Sequence, residues 1–281
     1  MPGIEKMAIN QITTNTQWSL REAIEGYARH GVRGICVWRN KLDEIGAVEA
    51  ARMLADHGMS VTGFCRGGMF PAADAAGRRN ALDDNRRAID DAASIGAACL
   101  VLIAGGLPPG SKDLADAHNQ VRDGLAAILP HARDAGMKLA IEPMHPMICA
   151  DRGCVNTLAH ANDLCDELGD ELGDGLGGDL GVAVDVYHVW WDPALEAEIA
   201  RAGKRIMAFH VCDWLVPTKD LVFDRGMMGD GVIDIPRIRG WVEAAGYDGF
   251  NEVEIFSKND WWQRDADEVV MTCIDRHEKF V

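Results

Sequence analysis

Residues 181–188 read GVAVDVYH, an apolar run that ends in Asp185 and is followed three residues later by His188. The same pattern, a short apolar run that closes on one ionisable side chain, recurs in three further stretches: KLAIEPMH at 138–145 with Glu142, IMAFHVCD at 206–213 with His210, and NEVEI at 251–255 with Glu254. Short, nearly continuous apolar runs are typical of parallel strands covered on both faces. These stretches therefore predict a parallel sheet with a cluster of reactive side chains along one edge.

Working outward from these stretches, the whole chain alternates short apolar runs with longer amphipathic ones. The apolar runs predict eight strands at 7–12, 34–38, 60–65, 98–104, 138–142, 181–185, 206–210 and 249–255. The intervening stretches predict helices at 19–29, 42–57, 80–95, 112–135, 156–168, 193–202, 236–245 and 260–277, with Asn156 as the N-cap of its helix. No G-x-G-x-x-G follows the first strand, which disfavours a dinucleotide-binding sheet. The pattern predicts an α/β protein: residues 1–281 form a single (β/α)8 TIM barrel domain with a C-terminal helix.

The composition excludes several classes of partner. The chain has 281 residues and a formal net charge of −16, which repels nucleic acid and anionic membrane surfaces. No apolar run approaches the roughly 20 residues of a membrane span, and the N-terminus does not resemble a signal peptide. The eight cysteines form no C-x-x-C pair, so buried free thiols in the cytoplasm are expected. Homo-oligomerisation is left open. The glycine-rich and acidic stretch 166–181 is expected to be a helix end that runs into a flexible surface loop.

The four strand-end residues predict a metal site. In a closed barrel, the carboxyl ends of the strands meet at one mouth. Glu142, Asp185, His210 and Glu254 would bring three negative charges and one imidazole together, and a divalent cation resolves that repulsion. An oxygen-rich set with one nitrogen suits Mn²⁺, the first choice, with Mg²⁺, Co²⁺ or Zn²⁺ as alternatives. Ordinary ion pairing is the competing interpretation. Glu252 shares a strand face with Glu254, but Glu254 is preferred because it lies nearer the carboxyl end.

Several motifs resemble the xylose-isomerase-like TIM-barrel superfamily, which includes sugar-phosphate isomerases, ketose epimerases, hydroxypyruvate isomerases, inosose dehydratases and endonuclease IV. The motifs are AIEP at 140–143, D-x-x-H at 185–188, FHVCD at 209–213 and GYDGFNEVE at 246–254, together with CRGG at 65–68 and AGG at 104–106. The resemblance implies the same four metal ligands. It also implies that His188 touches a substrate oxygen and that Arg225 opens a glycine-rich loop after the seventh strand.

The remaining candidate residues carry open alternatives. His145 is either a catalytic acid or base or only a loop residue. Arg225 binds a substrate hydroxyl or phosphate, or it pairs with Asp213, which in turn is a candidate to orient His210. Aromatic side chains could form an apolar wall against a sugar, with Trp38 and Trp214 as the first candidates and Phe64 and Trp190 as further ones.

The resemblance implies a sugar isomerase or epimerase. A small sugar or polyol derivative would lose and regain a proton α to its carbonyl through a cis-enediolate, with Glu142 and Glu254 as the acid–base pair and His145 and His188 moving hydroxyl protons. One alternative is a lyase or dehydratase that removes the same proton and expels a β-substituent. Another is a metal-binding barrel subunit that needs a partner protein. The acidic charge disfavours phosphodiester cleavage.

Overall fold

The computed structural model describes residues 2–172 and 178–281. The predicted surface loop therefore lies partly outside the described residues. Eight strands form the barrel sheet: β1 Met7–Asn10, β2 Gly34–Trp38, β3 Ser60–Gly68, β4 Leu100–Ile103, β5 Leu139–Glu142, β6 Leu180–Asp185, β7 Ile206–Val211 and β8 Asn251–Val253. Each strand pairs in parallel with the next, and β8 pairs with β1, so the sheet closes into a barrel. The predicted (β/α)8 barrel is confirmed.

Helices cover the outside of the barrel. The α-helices are Leu20–Arg29, Arg39–Leu42, Ala47–Asp56, Ala75–Ser94, Leu114–Asp134, Leu158–Leu172, Val186–Val189, Leu195–Ala202, Ile235–Ala244 and Ala266–Phe280. Short 3₁₀ helices occupy Ile4–Lys6, Gln11–Thr14, Pro146–Ile148, Gly203–Arg205 and Trp261–Gln263. In the part of the chain the structure describes, no helix is both long and apolar enough to cross a lipid bilayer.

One predicted helix start is wrong. The side chain of Asn156 donates to the carbonyls of Met144 and Gly153, at 2.9 and 2.8 Å, and so ties the loop after β5 together. Thr157 caps the helix instead, because its hydroxyl accepts the backbone N–H of His160 at 3.1 Å. Asn and Thr are both common N-cap residues, so the sequence alone does not choose between them. Thr157 is the cap because the Asn156 side chain is already bonded to two loop carbonyls.

The apolar residues form two layers. Small side chains fill the barrel interior, namely Cys36, Cys65, Cys99, Val101, Ala140, Ala183 and Ala208. The larger aliphatic and aromatic side chains pack between the strands and the helices. Phe64 is fully buried in this outer layer, so it cannot form part of a wall around a ligand. All eight cysteines are free thiols.

We expect Ser19→Ala to lower the free energy of unfolding by about 1 kcal/mol. Ser19 and Glu22 form a reciprocal capping box at the start of Leu20–Arg29, in which each side chain accepts the other's backbone N–H, at 3.3 and 2.8 Å. Urea unfolding measures the change. Ser94→Ala is the matched control: Ser94 is exposed near a helix end, and its loss should change stability by less than about 0.5 kcal/mol. Equal losses in the two variants would contradict the cap assignment.

Candidate metal centre

Four ionisable side chains converge at the carboxyl ends of adjacent strands. Glu142 ends β5, Asp185 ends β6, His210 lies in β7 and Glu254 directly follows β8. All four are buried, and one potential ligand atom from each lies within 4.8 Å of all the others. Asp185 pairs with His210 in the register of β6 and β7, and Glu254 lies two residues beyond Glu252, which pairs with His210 across the next strand pair. The parallel barrel thus brings together the set that the sequence singles out.

The two nitrogens of His210 face different carboxylates. Nδ1 lies 2.8 Å from Glu142 Oε1 and 3.8 Å from Glu254 Oε2, whereas Nε2 lies 3.4 Å from Glu252 Oε1. Nε2 has no hydrogen-bond partner among the described residues. A proton on Nε2, directed at Glu252, would leave the Nδ1 lone pair free to bind a cation. Burial opposes the charged imidazole, but the carboxylates of Glu252, Glu142 and Glu254 raise the pKa of His210 well above its ordinary value.

Glu252 lies outside the four-residue cluster and has other partners. Its carboxylate accepts hydrogen bonds from the hydroxyl of Thr62 at 2.6 Å and from the amide of Asn10 at 2.8 Å. The same Asn10 amide donates to Glu254 at 2.9 Å, and its carbonyl accepts the indole N–H of Trp38 at 2.7 Å. Asn10 therefore links the two glutamates. Asn10 is not among the residues predicted from the sequence, although its position at the end of the apolar run MAIN is a signal for it.

Arg225 lies against the cluster rather than against Asp213. Its Nη1 donates to Asp185 Oδ2 and to Glu254 Oε2, both at 2.9 Å. The guanidinium is buried and stands between the rings of Tyr187 and Phe256, 4.5 and 4.8 Å from their centroids. Although burial opposes it, this cation keeps the pKa of Asp185 below its ordinary value. Arg225 thus holds two of the four side chains in place and offsets part of their charge.

The predicted pairing of Asp213 is wrong in both of its forms. The Asp213 carboxylate accepts the backbone N–H groups of Gly229, Gly231 and Ile233 at 3.0, 2.8 and 3.0 Å. It also accepts the N–H of Trp214 at 2.9 Å. Its oxygens are therefore used to fix the loop after β7, and it neither pairs with Arg225 nor orients His210. The backbone N–H groups of this glycine-rich loop have no partner in regular secondary structure. They need a hydrogen-bond acceptor, and the carboxylate of Asp213 provides it.

His188 borders the cavity above the cluster, and His145 lies on the far side of His188 from it. The Nδ1 of His188 accepts the backbone N–H of His145 at 3.1 Å. Burial lowers the pKa of His188 to about 3, so the ring is neutral. The ring of His145 stacks on Trp214 at 4.7 Å, and its Nδ1 accepts the N–H of Met147 at 3.2 Å. Neither His145 nor Trp214 lines the cavity in the described structure, whereas Trp38 does. Trp190 packs behind Trp214, with 5.9 Å between the ring centroids.

The cavity above the cluster has a volume of about 220 Å³. Glu142, Glu254, His188 and Arg225 form its polar end. Its apolar wall consists of Trp38, Ile103, Met144, Ile148, Leu221, Val222, Phe223 and Phe256. Burial raises the pKa of Glu254 to about 8, against the opposing charges of Arg225 and His210.

The donor set fits a divalent cation. Three carboxylates and one imidazole nitrogen are the ligands that Mn²⁺, Co²⁺ and Zn²⁺ accept, and no thiolate lies in the set. Glu142, Asp185, Glu254 and Nδ1 of His210 are the residues that could hold it. Their convergence on one point, with Asp185 and Glu254 also held by hydrogen bonds from Arg225, suits a site for one ion.

Solved structures similar to this chain extend over its whole length. The crystal structure of protein SMc04130 from Sinorhizobium meliloti 1021 has 55% sequence identity and a TM-score of 0.95, covering 99% of this chain and 98% of that one. The IOLI protein with a binding zinc atom has 19% identity and a TM-score of 0.81, covering 98% and 99%. The 3-keto-D-glucoside 4-epimerase YcjR from E. coli has 18% identity and a TM-score of 0.75, covering 97% and 99%. The two distant relatives show the fold.

A search of curated proteins found no significant match. The family model described as xylose isomerase-like TIM barrel, in contrast, matches residues 24–272. This range contains all four side chains of the cluster and seven of the eight barrel strands. The chain belongs to the xylose isomerase-like TIM barrel family.

Proposed function

We propose that this protein is a divalent-metal-dependent sugar isomerase or epimerase that moves a proton α to the carbonyl of a keto-sugar or related polyol derivative. One observation carries the proposal: Glu142, Asp185, His210 and Glu254 converge within 4.8 Å at the end of a cavity of about 220 Å³. Carboxylates that bind a metal and also face a substrate can take and return a proton.

The bound cation would polarise the carbonyl and lower the barrier to removal of the α-proton. Glu142 and Glu254 both line the cavity from strands three places apart, so either can receive the proton while the other returns it. Return to the neighbouring carbon of the cis-enediolate gives isomerisation, and return to the opposite face of the same carbon gives epimerisation. Arg225 keeps Asp185 and Glu254 fixed during both steps.

The other cavity residues would orient the substrate. His188 is neutral and borders the cavity, and a substrate hydroxyl would bind its Nε2 beside or in place of Nη2 of Arg225, which lies 3.1 Å away. Trp38 and Phe256 would pack against the C–H faces of a sugar and exclude water from the reacting carbon. The backbone N–H of His145 fixes the ring of His188 from behind. We therefore propose that this part of the loop positions His188, while the ring of His145 stacks on Trp214.

Two distant relatives are consistent with the proposal. The IOLI structure contains a zinc atom, and YcjR is a 3-keto-D-glucoside 4-epimerase. A further relative, D-psicose 3-epimerase, was solved in the presence of D-fructose at 18% identity. We propose Mn²⁺ as the first choice for the cation, because the ligand set is rich in carboxylate oxygen and has one imidazole nitrogen. Zn²⁺, Co²⁺ and Mg²⁺ are alternatives, because the same ligands also bind them.

The test is deuterium incorporation. Metal-loaded protein is incubated in D₂O with D-fructose, D-psicose, D-tagatose, a 3-keto-glucoside, an inosose and their phosphorylated or oxidised derivatives, and NMR follows the carbon next to each carbonyl. We expect exchange at one α-carbon of at least one compound, with an isomer or epimer accumulating. Exchange accompanied by loss of a β-substituent would replace isomerase with lyase. Absence of exchange with every compound and every metal would overturn the proposal.

A further inference from the structure

Two arginines at the cavity have no carboxylate oxygen of a described residue within 4.0 Å. Arg66 and Arg152 both line the cavity and are only partly exposed. In residues 2–172 and 178–281, every other arginine or lysine that is partly or fully buried has a carboxylate oxygen within 4.0 Å. These residues are Arg39, Lys41, Arg86, Arg122, Arg205, Arg225, Arg239, Arg264 and Arg276. In a chain with 44 acidic and 28 basic residues, carboxylates are abundant. The lack of one at these two arginines therefore distinguishes them from their peers.

The backbone of β3 directs Arg66 into the cavity. Cys65 pairs with Val101 and Gly67 pairs with Leu102, so Arg66 is the extra residue of a β-bulge. Alternation along a regular strand would turn Arg66 away from the face that Cys65 occupies, but a bulge re-aims the side chain, and both residues line the cavity. Gly68 has φ +96°, and a Cβ there would lie 2.0 Å from the carbonyl oxygen of Ile103. The motif CRGG thus serves to present Arg66.

Arg152 approaches from the other side, on the loop after β5. Its backbone N–H donates to Ile148 at 2.9 Å, and its guanidinium lies 5.8 Å from the centroid of Phe223. The carboxylate of Asp220, on the segment that also carries Phe223, is already used by the N–H groups of Val222 and Phe223, at 2.8 and 2.9 Å. Asp220 therefore acts on the Arg152 guanidinium only from beyond 4.0 Å, and Arg152 forms no ion pair among the described residues.

Two like charges held together are costly unless an anion joins them. Burial, followed by the nearby charge of Arg152, lowers the pKa of Arg66. A guanidinium presents a planar fork of donors that fits two oxygens of a phosphate or carboxylate. Among the described residues, the carboxylates of Asp84 and Asp220 act on Arg66 and Arg152 only from beyond 4.0 Å, so the charges of the two guanidinium groups are offset only in part.

We propose that Arg66 and Arg152 bind a terminal oxyanion of the substrate, so that the substrate is an anionic keto-sugar derivative, a sugar phosphate or a sugar acid. This inference rests on the proposed function, because it takes the cavity above Glu142 and Glu254 as the substrate site. The metal cluster and His188 would hold the carbonyl end, and the two arginines would hold the charged end. The apolar residues between them, such as Trp38 and Phe256, contact the carbon chain.

The test measures binding by titration calorimetry, which does not require turnover. The probes are D-fructose 6-phosphate, 5-keto-D-gluconate and neutral D-fructose. We expect at least one anionic probe to bind about 10-fold or more tightly than D-fructose, and added NaCl to weaken only that binding. Arg66→Gln and Arg152→Gln should each weaken binding of the anion by about 10- to 100-fold and change D-fructose affinity by less than about 3-fold. Arg79→Gln, an exposed arginine on Ala75–Ser94, is the matched control and should change neither affinity.

The outcomes separate this inference from the proposed function. Equal affinity for neutral and anionic probes, or anion binding that survives loss of both arginines, would overturn the inference even if α-proton exchange occurs. Arginine-dependent anion binding without exchange on any compound would overturn the proposed function and leave the inference standing. Preference for the phosphate over the carboxylate probe, or the reverse, identifies the anion. If a glutamine variant fails to fold, Arg66→Lys and Arg152→Lys keep the charge but lose the fork, and about 3- to 10-fold weaker anion binding is expected.

Discussion

Glu254→Gln should lower the rate of α-proton exchange by about 10³-fold and should also reduce the metal content of the purified protein. The amide keeps the shape of the side chain, but it carries no negative charge for a cation and cannot accept a proton. The Asn10 amide and the Arg225 guanidinium each donate a hydrogen bond to a different oxygen of Glu254. Glutamine has only one acceptor oxygen and therefore cannot accept both bonds in the same way. Elemental analysis and exchange in D₂O measure the two effects on the same sample.

Glu252→Gln is the matched comparison, because it removes a carboxylate two residues away on the same strand face. Glu252 is bound by Thr62 and Asn10 and lies outside the four-residue cluster. We expect this variant to keep its metal and to lose at most about 10- to 100-fold in exchange rate, through the altered setting of His210. If Glu252→Gln lost its metal while Glu254→Gln retained it, the fourth ligand would be Glu252.

Removing the metal with a chelator should abolish exchange while leaving the barrel folded. Exchange needs the cation to polarise the carbonyl, so the loss should reach the detection limit and be reversed by added Mn²⁺. The fold should survive, because Arg225 lies between Asp185 and Glu254, and Glu142 lies 2.8 Å from His210, whose pKa is raised. Circular dichroism checks the fold, and NMR in D₂O checks the exchange.

The same experiment has a thermodynamic readout. A cation that binds only the folded chain stabilises it by about 4 kcal/mol when its free concentration is about 1,000 times its dissociation constant. Urea unfolding with and without Mn²⁺ should show this difference in wild type, and Asp185→Asn should remove most of it. Full exchange in chelated protein, or a stability that no divalent cation changes, would refute a metal-dependent mechanism.

The four residues of the candidate metal site could be predicted because each lies at or next to the end of a strand. Each of Glu142, Asp185, His210 and Glu254 closes an apolar run, and a closed parallel sheet brings all strand ends to one mouth. No knowledge of loop paths was needed for these four, because a strand end and its register fix where the side chain starts and which way it points.

Residues on loops and bulges did not follow in the same way. The sequence left open whether Arg225 binds the substrate or pairs with Asp213, and its side chain reaches Asp185 and Glu254 instead of Asp213. His145 follows Glu142 by three residues, yet the turn of the loop stacks it on Trp214 behind the cavity wall. Sequence spacing fixes neither the direction of a loop nor which carbonyl or N–H group a nearby side chain must satisfy.

The amino-acid sequence by itself determined the barrel, its eight strands and the four side chains at their ends, because period and polarity are local properties that a parallel sheet then aligns. Only the tertiary structure decided the partners of Arg225 and Asp213, the place of Asn10 and the presence of Arg66 and Arg152 at one cavity. These depend on a bulge between Cys65 and Gly67 and on loops whose hydrogen bonds join residues far apart in the chain. Such contacts are chosen by competition among all nearby donors and acceptors, and that competition exists only once the chain is folded.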